Sequence, residues 1–198
     1  MTAEPLPDWF MPPPGGWTAD AMDDLPPGAP RMELIGGALI VPSPQTVFHS
    51  KVMFRLAHLL EETVPEGFDV LQEMTMKLGK YQRPEPDLLV YQYEANDEEH
   101  LDWTRTTHVP PEDVVLVVEI VSPESRDRDR TTKFFKYAQA GIPHYWIIEP
   151  EEHGAAIHAY ELDGVREPRY VPVTVARDRL KVDTPFPLDI DVRDLLRR

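Results

Sequence analysis

With 198 residues, 41% of them hydrophobic, the chain can bury one ordinary core and little beyond it. It has no cysteine, which excludes a disulfide framework, thiolate–zinc sites and a cysteine nucleophile. A formal net charge of −15 repels phosphate backbones at long range and argues against a non-specific nucleic-acid coat protein, although a bound divalent cation reverses the field inside a site.

Residues 1–30 read as a proline-rich arm, where Pro12-Pro13-Pro14 and Pro26-Pro27 confine any helix to a short turn with Thr18 as its N-cap. The first residues lack the basic and apolar regions of a secretion signal, and no apolar run nears the ~20 residues needed to span a bilayer. A cytoplasmic protein without a membrane segment is expected. Residues 31–198 read as a single domain.

Met32–Ile35 and Ala38–Val41 flank Gly36-Gly37 as a hairpin. A helix follows over 46–64, with Val52, Leu56 and Leu60 at helical spacing and Pro65 and Gly67 as its stop. Strands are expected over 68–78 and 87–91, then an acidic surface loop over 94–113. The run Val114–Val121 is apolar at nearly every position, as expected of a strand covered on both faces. A second helix spans 126–140 and ends at Gly141, with Pro143 just beyond. Strands over 145–148, 157–162 and 170–175 and a short terminal helix over 192–197 complete the chain. The strand–helix–strand run from 114 to 148 reads as a parallel βαβ unit. The fold class is therefore α/β, a mixed sheet flanked by helices.

Glu119 is the chemical anomaly, because a carboxylate inside a Val/Ile/Leu strand is costly to bury unless it is paired or bound to a cation. Asp87 is delivered by Pro86 to the start of another apolar strand. Two acids at the ends of neighbouring buried strands suit a hard cation such as Mg²⁺. The competing reading makes Asp87 a turn residue and pairs Glu119 with an arginine. As paired acids the two would repel each other without a cation, which would leave Glu119→Gln neutral or stabilising. Glu33, beside the hairpin, faces either the site or solvent. His49, at the start of the first long helix, suits a base, a phosphate contact or a cap. At 100° per residue, Arg126, Arg130, Lys133 and Tyr137 share one face of the second helix, and Thr131, Phe134, Phe135 and Ala138 a core-facing one. No GxxxxGK[ST], GxSxG or GxGxxG is present, so nucleotide-loop and serine-hydrolase readings lack support.

Met32-Glu-Leu-Ile-Gly-Gly-Ala-Leu-Ile40, Pro42-Ser-Pro with His49, Pro86-Asp-Leu-Leu-Val90, Val117-Val-Glu-Ile-Val-Ser-Pro123, Lys133-x-x-x-Tyr137 and Gly141-Ile-Pro-His-Tyr-Trp-Ile147 occur in that order. Together they resemble the Uma-two family, a branch of the PD-(D/E)xK nuclease superfamily, over roughly residues 31 to 197. The resemblance implies a restriction-endonuclease-like core and a homodimer in which the arm could wrap a second subunit. It implies Asp87 and Glu119 as Mg²⁺ ligands, with Mn²⁺ as a substitute and the carbonyl of Ile120 as a third donor. Glu33 and His49 match further family positions. The chain departs from the pattern at Val121, where the superfamily motif has lysine, and the resemblance implies Lys133 as its replacement. The implied activity is Mg²⁺-dependent endonucleolytic cleavage of phosphodiester bonds in DNA. A catalytically inactive binding or assembly module, favoured by Val121 and the acidic charge, and a hydrolase of smaller phosphoesters are the alternatives.

Overall fold

The structure, a computed structural model, describes residues 7–93, 102 and 104–197. Of the acidic loop expected over 94–113, residues 94–101 and 103 lie outside the described residues. Gly36 and Gly37 both adopt positive φ, which lets β1 (Glu33–Ile35) and β2 (Ala38–Ile40) pair across a tight turn. Helix α1 (Val47–Thr63) begins at Thr46, whose hydroxyl accepts the His49 N–H at 3.2 Å, and its apolar stripe of Val52, Leu56 and Leu60 is fully buried. The strand expected over 68–78 is broken at Glu73, the one described non-glycine residue with positive φ, into β3 (Phe68–Gln72) and β4 (Thr75–Met76). Then come β5 (Gln82–Arg83), β6 (Leu88–Gln92), β7 (His108–Val109) and β8 (Val114–Ile120).

After β8 the chain turns helical. A π-helical segment, Arg128–Lys133, runs directly into α2 (Phe134–Gln139). Next are β9 (His144–Glu151), β10 (Gly154–Asp163) and β11 (Arg169–Ala176). The short pair β12 (Arg179–Val182) and β13 (Leu188–Asp191) and a 3₁₀ turn, Val192–Leu196, complete the described chain.

The main sheet has the order β11-β10-β9-β8-β6-β3. Its neighbours are antiparallel except β8 and β9, which run parallel, as the βαβ reading requires. Side chains alternate between two cores. Leu88, Val90, Leu116, Val118, Ile120 and Trp146 pack toward α1, and Leu89, Val117, Val121, Tyr145 and Ile147 pack toward Tyr137 and Ala138 of α2. No described helix is long and apolar enough to cross a membrane.

The second half of the arm is fastened to its own chain. The Ala19 N–H donates to the Lys80 carbonyl at 2.8 Å, and the Thr18 hydroxyl accepts the Ala21 N–H at 3.2 Å, although Asp20 rather than Thr18 holds the N-cap position of the short turn Ala21–Asp24. Arg83, buried, donates to the Ala19 carbonyl, Asp23 and Thr75 at 2.7–2.9 Å, and Lys77 reaches Asp20 and Asp23 at 2.8 Å. Burial would raise the Asp23 carboxyl, but hydrogen bonds from Lys77, Arg83 and Thr107 hold it well below the usual carboxylate range. A depressed pKa stabilises the fold above the unfolded value of about 3.9 and that stabilisation is lost as pH falls below it. Asp23→Asn should therefore lower the thermal midpoint at pH 7 by a few degrees and flatten the acid limb below about pH 4, as read by calorimetry. An unchanged acid limb would remove Asp23 from this role.

Candidate active site

The β6–β8 ladder pairs Leu88 with Val118, so one step further Asp87 comes level with Glu119. Asp87 accepts the Ile120 N–H on Oδ2 at 2.5 Å and lies 2.9 Å from His49 Nε2 through Oδ1. Glu119 lies on the α2 face of β8, between Val117 and Val121, and is 3% exposed. Lys133 Nζ donates to both of its oxygens, at 3.0 and 3.1 Å, and the Tyr137 hydroxyl donates to Oε1 at 2.7 Å. The same ammonium is 3.0 Å from Glu33 Oε2. Glu33, His49, Asp87, Glu119, Ile120 and Lys133 all line one cavity of about 500 Å³. At this cavity Arg31 is pinned between Glu73 and Glu85.

The second helix differs from its wheel. A π segment does not keep 3.6 residues per turn, so the phase slips within it. The inward stripe is Asp129, Lys133 and Tyr137, while Arg126 and Arg130 stay at the surface. Arg130 instead pairs with Glu149, through Nε at 2.8 Å. Of the expected core stripe, Phe134 packs edge-on against Tyr145, Tyr160 and Tyr170, and Ala138 is buried. Thr131 and Phe135 face solvent. Lys133 is thus a core residue, 3% exposed, and does not project clear of the packed face.

Two residues of the site were not marked as such by the sequence, where Asp129 served only as a charge partner for Arg126 and Arg130. Arg128 lines the cavity, with Nε 3.0 Å from Glu33 Oε1 and Nη1 3.0 Å from Glu124 Oε1. Asp129 is 1% exposed and 3.7 Å from Lys133. Their only signal was the alternation Arg126-Asp-Arg-Asp-Arg130, which resembles an ordinary solvated helix face.

Glu33, Glu119 and Asp129, all buried, share the one Lys133 ammonium. Burial pushes the Glu119 carboxyl well above its usual range; Lys133 opposes this, and Asp129, Asp87 and Glu33 add to it. Burial, more than repulsion between the acids, is therefore the chief reason that its charged form is disfavoured. Burial would lower Lys133, but the surrounding carboxylates carry it above its usual value and keep it charged. Burial likewise lowers His49, and Asp87 more than restores it. Such an excess of carboxylate over cation suits an added hard cation. Among the described residues no three His, Asp or Glu side chains form a ready ligand set. Mg²⁺ is commonly bound by one or two carboxylates while retaining waters, so Asp87 and Glu119 fit it as a donor pair, provided Glu119 leaves Lys133.

Three acids against one ammonium make the two halves of this ion pair unequal. Lys133→Met should lose roughly 3–5 kcal/mol, the range for stranding buried charge. Glu119→Gln leaves Lys133 with Glu33 and Asp129, and its metal-free stability should be unchanged or higher. Urea unfolding of both variants checks this, and equal losses would contradict the asymmetry.

A model of the family described as "Uma2: Putative restriction endonuclease" matches residues 19–193. Among solved structures, one described as a "putative nuclease belonging to DUF820" from Anabaena variabilis ATCC 29413 is similar in fold, with a TM-score of 0.67 and 23% identity. The alignment covers 90% of this chain and 97% of that one. No curated protein matches the chain significantly.

Proposed function

The chain belongs to the Uma2 family and has a nuclease-like fold, and from that premise we propose that it is a Mg²⁺-dependent endonuclease acting on DNA. The observation that carries the reading is the meeting of Asp87, Glu119, Glu33 and Lys133 at one cavity beside the paired ends of β6 and β8. Asp87 and Glu119 would hold Mg²⁺, or Mn²⁺ in its place, with Ile120 beside them. Once bound, the cation would polarise the phosphoryl oxygen and acidify a water. The remaining work falls to the chain itself. The Ile120 N–H and His49 orient Asp87, so His49 acts on the carboxylate rather than on the phosphate. Glu33 steadies Lys133 and Arg128. Lys133 positions the attacking water and offsets negative charge as it develops in the transition state. Arg128, partly exposed in the cavity, reaches a phosphate oxygen as a planar donor.

The acidic surface implies weak DNA binding without a cation. Incubating plasmid DNA with Mg²⁺ or Mn²⁺ tests the activity. Asp87→Asn and Lys133→Met should each slow cleavage by a factor of about 10² or more, normalised to folded protein. Lys136→Met, outside the site, should not. Val121, where the superfamily motif has lysine, favours a non-catalytic binding module as the second reading. Bound Mg²⁺ with no cleavage of any DNA substrate would establish it over the first.

A further inference from the structure

Asp129 carries one of the buried polar atoms of the site that lack a hydrogen-bond partner, beside His49 Nδ1 and Arg128 Nε, although Ser125 also hydrogen-bonds its carboxylate. Its Oδ1 is buried and has no hydrogen-bond partner, although native interiors leave few acceptors unpaired. The residue is held from both sides. Its N–H donates to the Ser125 carbonyl at 2.9 Å, and its own carbonyl accepts the Tyr145 hydroxyl at 2.9 Å. That carbonyl lies in the π segment, so the tyrosine contact also supports the departure from α-helical geometry that turns Asp129 inward.

Asp129 Oδ1 makes only a long ion pair with Lys133 Nζ, at 3.7 Å and beyond hydrogen-bonding distance, while both Glu119 oxygens are hydrogen-bonded to that ammonium. On the metal-binding reading proposed above, on which this inference rests, Glu119 cannot turn to a cation while it satisfies Lys133. The ammonium would keep Glu33 Oε2 at 3.0 Å but lose both Glu119 contacts, and Asp129 Oδ1 stands where it can replace one of them. We infer that Asp129 is a positioning residue: it takes the Lys133 ammonium when Glu119 turns to the cation, and so keeps Lys133 beside the reacting phosphate. A short side-chain movement suffices. The unpaired oxygen is then the vacant half of an exchange between two partners.

A purely structural Asp129 would affect stability without touching metal affinity. Calorimetric titration with MgCl₂ of wild type, Asp129→Asn, Asp129→Glu, Lys133→Met and the Asp129→Asn/Lys133→Met double variant separates the two roles. Asp129→Asn should bind Mg²⁺ about 10- to 100-fold more weakly, the range for groups that orient a metal ligand. Asp129→Glu should recover most of the loss. In the Lys133→Met background, where no ammonium has to be taken over, Asp129→Asn should leave the Mg²⁺ affinity unchanged. If Lys133→Met does not fold, the ¹⁵Nζ resonance of Lys133 replaces that arm: it should shift on Mg²⁺ addition in wild type and less in Asp129→Asn. Wild-type affinity in Asp129→Asn, or independent deficits in the double variant, overturns the inference and leaves the nuclease reading standing. A wild type that binds no Mg²⁺ overturns both.

Discussion

The Lys133 ammonium, shared by three buried carboxylates, is the interaction on which the rest of the site depends. Glu119 is buried near the end of the most apolar strand, where an unpaired charge would be expelled or neutralised. Its partner cannot come from β8, because the next position on that face is Val121. It comes from the following helix, through a π segment braced by Tyr145 of β9. The βαβ unit therefore supplies both charges and the brace: β8 the acid, the helix the base, β9 the hydroxyl. Parallel pairing of β8 with β9 brings these three pieces into contact.

The second half of the site depends on α1. Thr46 fixes the first turn of that helix, and His49, within the same turn, reaches Asp87 at the end of β6. The hairpin adds Glu33, buried and aimed at Lys133 and Arg128. Three separate chain segments thus converge at one cavity. Most of the polar groups gathered there find partners in one another, and in a low-dielectric interior those hydrogen bonds hold the side chains in place.

The sequence made the frame legible, and it failed where backbone geometry left its usual period. Alternation and helical spacing identified the hairpin, α1, the buried strand β8 and the crossover to β9, because each buries an apolar face of regular repeat. Glu119 was legible because it breaks such a face, and Asp87 because a proline delivers it to one. The strand expected over 68–78 failed at Glu73, whose positive φ no side-chain pattern announces. The helical wheel failed at Arg128–Lys133, since a charged run gives no hint of π winding. That one misreading hid the burial of Asp129, set Lys133 clear of the packed core and put Phe135 in it. Arg83 was likewise illegible, because its partners lie far away in the chain, from Ala19 to Thr107.

Val121 is best understood by what it does where a lysine is expected. It is 2% exposed and belongs to the core around Tyr137 and Tyr145, on the same face of β8 as Glu119. A lysine stem at that position would have to thread through this aromatic packing to bring its charge to the site. With the ammonium supplied by the helix, the strand keeps an apolar side chain at 121 while Lys133 Nζ stands 3.0 Å from Glu119. That arrangement has a consequence for specificity of structure. A lysine two residues from its glutamate is placed by the strand alone, whereas Lys133 is placed only if the π segment forms and Tyr145 docks on it. The position of the charge is thereby tied to correct packing of the whole βαβ unit. Substitution at Tyr145 would disturb the ammonium without touching any charged group.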